Sequence, residues 1–182
     1  MTQLGFAYDM TACSGCKACQ IACKDKNDLD IGVFYREVTE YEGGEFPSPY
    51  LYYLSQSCNH CENPLCIDVC PTGARTKRDE DGIVLVDQDV CNGTRACITA
   101  CPYDVPQYLE DKGVVGQCDF CIDLLEKGEE PACVAACNMR VLKFGDLEEL
   151  EAEYGGVKDI EVLPASYLTG PSFLITPKEE AK

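Results

Sequence analysis

Cys13-Ser14-Gly15-Cys16-Lys17-Ala18-Cys19-Gln20-Ile21-Ala22-Cys23 is the stretch that decides the fold. It spaces four cysteines as C-x2-C-x2-C-x3-C. Three further groups lie downstream. Cys58, Cys61, Cys66 and Cys70 read C-x2-C-x4-C-x3-C and run into Pro71. Cys91, Cys97 and Cys101 run into Pro102. Cys118, Cys121, Cys133 and Cys137 read C-x2-C-x11-C-x3-C. These groups, I to IV in chain order, hold all 15 cysteines of the 182 residues, about 8% of the chain.

The spacing fits iron–sulfur chemistry. A cubane core needs thiolates from several directions, and a C-x2-C-x2-C loop curls round it to supply three. Backbone N–H groups of the same loop can face the sulfurs and stabilise their charge. A cysteine three residues on sits on the following helical turn and points away; in two-cluster ferredoxins it ligates the second cluster. A trailing proline marks where the chain leaves that turn. Paired groups therefore trade their last cysteines. Two other uses of cysteine are weaker. Disulfides need an oxidising compartment and suitable Cα separations, and an odd count leaves one thiol over. A four-thiolate zinc site joins two C-x2-C knuckles across a long spacer, which fits neither the triple of group I nor the x3-Cys-Pro endings.

Group III lacks one ligand. Laid on the group I template, Cys91-Asn92-Gly93-Thr94-Arg95-Ala96-Cys97 places Thr94 where Cys16 stands. A hydroxyl is a hard, high-pKa oxygen and matches iron beside sulfide poorly. Three thiolates that retain three irons, a [3Fe–4S] cluster, is the expectation. Two alternatives stay open: a fourth iron held weakly by Thr94 or water, and an empty site. A [3Fe–4S] centre normally works at a higher potential than its neighbours, and cluster type is one lever on potential. The substitution reads as tuning of one station rather than drift.

Composition excludes several classes. A formal net charge of −17 offers no basic patch for phosphates, so nucleic acid is excluded as a partner. No run of 18 apolar residues marks a membrane span; the longest, such as Ile83–Val86, are strand-sized. Met1–Thr11 carries no basic region followed by an apolar segment, so no secretory signal is expected. An apolar fraction of 46% argues against disorder. Short strands bracket the groups: Gly5–Met10, Tyr50–Leu54, a hairpin of Ala74–Arg78 with Ile83–Val86, Val114-Val115 and Val141–Phe144. Glu148–Tyr154 reads as an acidic surface helix ended by Gly155-Gly156. Tyr167–Pro177, with two prolines, reads as an extended segment lying along a surface. The clusters would form much of the core, so the iron-free chain is expected to be largely unfolded.

The residues also carry a family resemblance. Gly5-Phe6-Ala7-Tyr8-Asp9 running into group I, with Ala22-Cys23-Lys24-Asp25, resembles the iron–sulfur B chain of dimethyl sulfoxide reductase and its molybdopterin oxidoreductase relatives. So do Ser57-Cys58-Asn59-His60-Cys61, Pro64-Leu65-Cys66, Cys70-Pro71-Thr72-Gly73-Ala74, Lys77-Arg78, Ala100-Cys101-Pro102-Tyr103 and Pro106-Gln107-Tyr108. The resemblance implies an α+β fold of two bacterial dicluster ferredoxin-like modules, the second inserted in the first, with an extended C-terminal tail. Residues 1–49 with 112–145 would form the outer module (groups I and IV). Residues 50–111 would form the inserted one (groups II and III), and 146–182 a C-terminal helix and tail. It implies three [4Fe–4S] clusters: one on Cys13, Cys16, Cys19 and Cys137, one on Cys118, Cys121, Cys133 and Cys23, and one on Cys58, Cys61, Cys66 and Cys101. The [3Fe–4S] cluster would take Cys91, Cys97 and Cys70, with Thr94 at the vacant corner. Departures are minor: Gln117 stands where the family usually has a basic residue, and Lys24 and Asn138 stand where a simple ferredoxin has proline. These are expected to loosen local contacts without removing a ligand.

The resemblance implies an electron-transfer subunit without its own catalytic site. It would join a molybdopterin catalytic subunit, at the group I/IV end, to a quinone-reactive membrane anchor or other redox partner, at the group II/III end. Two other functions compete with it. A dehydratase using the three-cysteine cluster would need acid–base partners; His60 lies in group II and Arg95 stands alone. A free polyferredoxin shuttle would suit the acidity, since acidic carriers dock on basic patches. Location at the outer face of a membrane is expected, because in this family the partner often carries the export signal; a cytoplasmic location is open. His60 is expected to be a local hydrogen-bond donor. Lys17, Lys24, Lys26, Lys77 and Arg78 would offset cluster charge, face a partner or be solvated. Tyr103 and Tyr108 would pack over clusters. Cluster ligation takes the net charge from −17 to roughly −25, which calls for a basic partner surface.

Overall fold

Chain order sets out one alternation, repeated. In the computed structural model, which describes residues 2–182, each cysteine group occupies a loop running into a short helix, and short strands lie between them. Strand β1 (Leu4–Asp9) leads through a turn at Met10–Ala12 into group I and helix α1 (Ala18–Lys26). Strands β2 (Arg36–Gly43) and β3 (Tyr50–Ser57) lead into group II and α2 (Leu65–Asp68). Strands β4 (Arg75–Lys77) and β5 (Val84–Val86) lead into group III and α3 (Ala96–Ala100). Strands β6 (Gln107–Leu109) and β7 (Val114–Gly116) lead into group IV, which carries α4 (Ile122–Leu125) and α5 (Ala132–Ala135). Strand β8 (Leu142–Asp146), α6 (Leu147–Tyr154) and β9 (Phe173–Thr176) follow, with single turns at Ser166–Leu168 and Glu179–Ala181.

β2 and β3, β4 and β5, and β6 and β7 form three antiparallel ribbons. β1 is the centre of a three-stranded sheet, antiparallel to β8 (Phe6 opposite Phe144) and parallel to β9 (Phe6 opposite Phe173). It is buried on both faces at Phe6, Ala7 and Tyr8, as a strand with neighbours on both edges and layers on both faces must be. Helix α1 packs against α5 and the start of β2, and α2 packs against α3. Gln20 in α1 accepts a hydrogen bond from the Val38 N–H at 2.8 Å, which fixes α1 on β2. Asp146 caps α6 by accepting from the Glu148 and Glu149 N–H groups at 2.9 and 3.2 Å, and Gly155 ends it.

The core is an aromatic column. Phe6 and Phe120 stack with centroids 4.3 Å apart, and His60 meets Phe120 edge-on at 5.2 Å. Strand β1, the group IV loop and the group II loop therefore share one contact.

The C-terminal segment departs from the expectation of a surface strap. It is extended, but Phe173, Leu174 and Ile175 are buried, Ile175 completely. Pro171 and Pro177 fall outside the four-residue strand, so neither removes a ladder hydrogen bond. Approaching the strand, the segment also closes over group II. Glu62 donates its N–H to the Gly170 carbonyl, Asn63 to the Thr169 carbonyl, and Ser172 to the Asn59 carbonyl, at 2.8, 2.9 and 2.9 Å.

Candidate metal centres

The four loops share a backbone device. In group I, Gly15 and Lys17 have φ of 67° and 59°; in group III, Gly93 and Arg95 have 68° and 61°. The left-handed residues fall at the same offsets from Cys13 and Cys91, so Thr94 occupies the loop position of Cys16. Both are exposed. In groups II and IV, His60, Phe120 and Cys121 are left-handed. Residues alternating in this way turn successive N–H groups inward and make a concavity that stabilises negative charge. Two such bonds to sulfur are present. The Gly15 N–H donates to Cys13 Sγ at 3.5 Å, and the Phe120 N–H donates to Cys118 Sγ at 3.4 Å.

All 15 cysteines are free thiols. Cys13, Cys16, Cys19 and Cys137 line one cavity, partly open to solvent. Among the described residues, no three Cys, His, Asp or Glu side chains converge on a single-ion site. Cys23, Cys118, Cys121 and Cys133 share a second locale. Burial, reinforced by Cys133, pushes the Cys23 thiol up to about 12, and burial pushes Cys121 up to about 11. Cys118 is raised well above the usual thiol range by burial and by Cys23 and Cys133. Cys66 lies in α2, which packs against α3, and Cys101 ends α3; burial pushes Cys66 up to about 11 against the lowering pull of Arg75. His60, between Cys58 and Cys61, meets Phe120, between Cys118 and Cys121, so the second and third locales adjoin. Thiols held neutral by burial need a strong Lewis acid to become ligands, and iron is one.

Cys70, Cys91 and Cys97 are related less directly, through a backbone trail: the Asp87 N–H donates to the Ala74 carbonyl at 2.7 Å, and the Cys91 N–H to the Asp87 carbonyl at 3.0 Å. Cys70 sits at the end of α2, and Cys97 in α3, which α2 packs against.

Other residues take definite places. His60 is buried, and its Nδ1 accepts from the Val84 N–H at 3.0 Å, so it acts there as acceptor, not as the expected donor. Burial, with Lys77 and Arg36 nearby, pushes it down to about 3. Lys24 is tied to the Leu29 carbonyl, Lys26 to Asp123, and Arg78 to Glu80 and Asp81. Lys77 donates to the Cys61 carbonyl at 2.7 Å. Tyr103 shares a hydrogen bond with Thr169 at 3.2 Å beside Cys61 and Cys101. Tyr108 lies under the Arg95 guanidinium, 3.5 Å from its ring centroid. Gln117 tightens its surroundings: it accepts from Arg75 and donates to the Val84 carbonyl at 2.9 Å.

Sequence reasoning missed Arg36 and Arg75. Arg36 lies 1% exposed beneath the group I and IV cysteines, with its guanidinium 4.7 Å from the Phe6 ring centroid. The available signal was its place two residues before Val38 on the inward face of a strand.

Comparison with known proteins agrees with this geometry. Two family models described as "4Fe-4S dicluster domain" match residues 49–147 and 12–74. Over its whole length the chain is 45% identical to the B chain of anaerobic dimethyl sulfoxide reductase of Escherichia coli K12, covering 92% of that protein. It is 42% identical to the thiosulfate reductase electron transfer subunit PhsB of Salmonella typhi, over 84% of this chain and 81% of the relative. It is 37% identical to the B subunit of sulfite dehydrogenase of Allochromatium vinosum, over 84% and 72%. With its cysteine loops, their shared left-handed backbone and this similarity along its whole length, the protein belongs to the 4Fe–4S dicluster family of iron–sulfur electron-transfer subunits, alongside the dimethyl sulfoxide reductase B chains.

Proposed function

We propose that this chain is the electron relay of a molybdopterin oxidoreductase complex, between its catalytic subunit and a quinone-reactive membrane anchor or other redox partner. The observation that carries the reading is the pairing of the cysteine loops, α1 on α5 and α2 on α3, with His60 of group II against Phe120 of group IV where the two pairs meet. Three [4Fe–4S] clusters are held by Cys13, Cys16, Cys19 and Cys137, by Cys23, Cys118, Cys121 and Cys133, and by Cys58, Cys61, Cys66 and Cys101. One [3Fe–4S] cluster is held by Cys70, Cys91 and Cys97. When bound, such clusters supply one-electron transfer over a wide range of potentials. The chain's own residues wrap, insulate and order these sites: backbone N–H groups face sulfur, and the Phe6–Phe120–His60 column fills the space between groups I/IV and group II.

The packing of α1 on α5 and of α2 on α3 supports two nested modules, 1–49 with 112–145 around 50–111, followed by 146–182. The group I/IV end faces the catalytic subunit and the group II/III end the anchor. Among the described residues no helix is long and apolar enough to cross a membrane; attachment falls to the anchor, at the outer face of the membrane. The relatives' names, the B chain of a reductase, an electron transfer subunit and the B subunit of a dehydrogenase, support the assignment. The test is native purification with metal analysis. The expected result is co-elution with a molybdenum-containing chain and about fifteen irons per relay chain. Elution near 20.0 kDa alone would make it a free shuttle instead.

A further inference from the structure

Two arginines lie inside this acidic protein without a carboxylate. Arg36 and Arg75 are 1% and 2% exposed. Among the described residues neither forms an ion pair with Asp or Glu, although the chain has 32 of them. A buried guanidinium without a carboxylate is costly to desolvate, and a countercharge nearby offsets that cost. The cysteine loops lie around these two.

Arg36 donates to the Ser55 carbonyl and hydroxyl, both at 3.2 Å, and to the Ser57 hydroxyl at 2.8 Å. Ser55 Oγ lies 3.4 Å from Cys19 Sγ, which completes a chain from guanidinium through hydroxyl to thiol. Cys133, Cys118 and Cys23 also lie within the reach of its charge. Arg75 donates to Gln117, the residue before Cys118, and begins β4, which packs on α2, the helix that carries Cys66; its charge pulls the Cys66 thiol down against burial. Each guanidinium keeps donors with no partner, Nε of Arg36 and both Nε and Nη2 of Arg75.

We infer that Arg36 and Arg75 are resident counter-cations of the clusters and set their potentials, Arg36 for the pair on groups I and IV and Arg75 for the cluster on Cys58, Cys61, Cys66 and Cys101. The inference rests on the cluster assignment proposed above. Reduction adds one negative charge to a cluster; a fixed cation in a low-dielectric interior stabilises that form and raises the potential. A carboxylate partner would cancel the effect, which accounts for its absence. Both residues act through the clusters and are positioning residues.

The test is an EPR-monitored redox titration of the full-length holoprotein. Arg36→Gln should lower the midpoint potentials of the group I/IV signals and leave the Cys66 signal in place. Arg75→Gln should do the reverse. Arg36→Lys and Arg75→Lys, which keep the charge, should stay near the parent. If a glutamine variant fails to retain iron while its lysine counterpart retains it near the parent potentials, the charge requirement is supported. Glutamine variants with parent potentials, or lysine variants that shift or lose iron as much as glutamine, would overturn the inference. A parent with no cluster signals would instead defeat the proposed function.

Discussion

At Thr94 the group I backbone is retained without its ligand. Gly93 and Arg95 hold the left-handed angles of Gly15 and Lys17, and the Thr94 N–H reaches Asn92 at 3.4 Å. The loop is therefore shaped for a fourth thiolate, and a single substitution should supply it. Thr94→Cys is expected to abolish the [3Fe–4S] signal in EPR of the oxidised protein and to raise iron content by about one per chain. A parent without that signal, or a variant that retains it, would refute the three-iron assignment. Replacing Gly15 would be a different matter, since any side chain there would be strained by φ of 67° and would meet the Tyr53 ring.

Among the elements, β9 has the clearest energetic role. Leu174 is 2% exposed and packs with Ala7 and Leu150. Leu174→Ala is expected to cost about 2–5 kcal/mol, read as a lowered midpoint in chemical denaturation of the holoprotein. Tyr167→Ala, in the same segment but 86% exposed, should stay within about 0.5 kcal/mol of the parent. Equal midpoints for Leu174→Ala and the parent would show that the tail is not part of the core. Gly5 marks the same contact from the other side: a Cβ there would meet the Ser172 carbonyl oxygen at 2.6 Å. The sequence made this region hard to read because its prolines look like breakers until they are seen to flank the strand. Strand β2 was missed for a different reason. Arg-Glu-Val-Thr-Glu-Tyr-Glu buries an arginine and leaves its glutamates exposed, Glu40 and Glu42 on the arginine's own face, so little apolar alternation survives. The cysteine groups were legible because ligand spacing is a local property. Arg36 and Arg75 were not, because their role depends on which loops come together above them.

On the scale of the molecule, secondary structure alone is thin. Among the described residues three of the four sheets are two-stranded, and such ribbons are marginal in water by themselves. Helices α2 to α5 span four or five residues each, too short to hold without tertiary support. Metal binding must then supply much of the folding free energy. Iron-free protein is expected to show little protected amide in hydrogen exchange and no cooperative thermal transition. A cooperative, native-like transition in the iron-free chain would overturn that. The order of β8, β1 and β9 in their sheet has a consequence for biogenesis. Strand β1 is made before both of its partners, which lie beyond group IV. At about 5–20 residues per second, it waits roughly ten to thirty seconds for Phe173–Thr176 to be made. Until β8 follows group IV, the group I loop hangs from a strand with neither sheet partner, and the sheet closes only when β9 joins it.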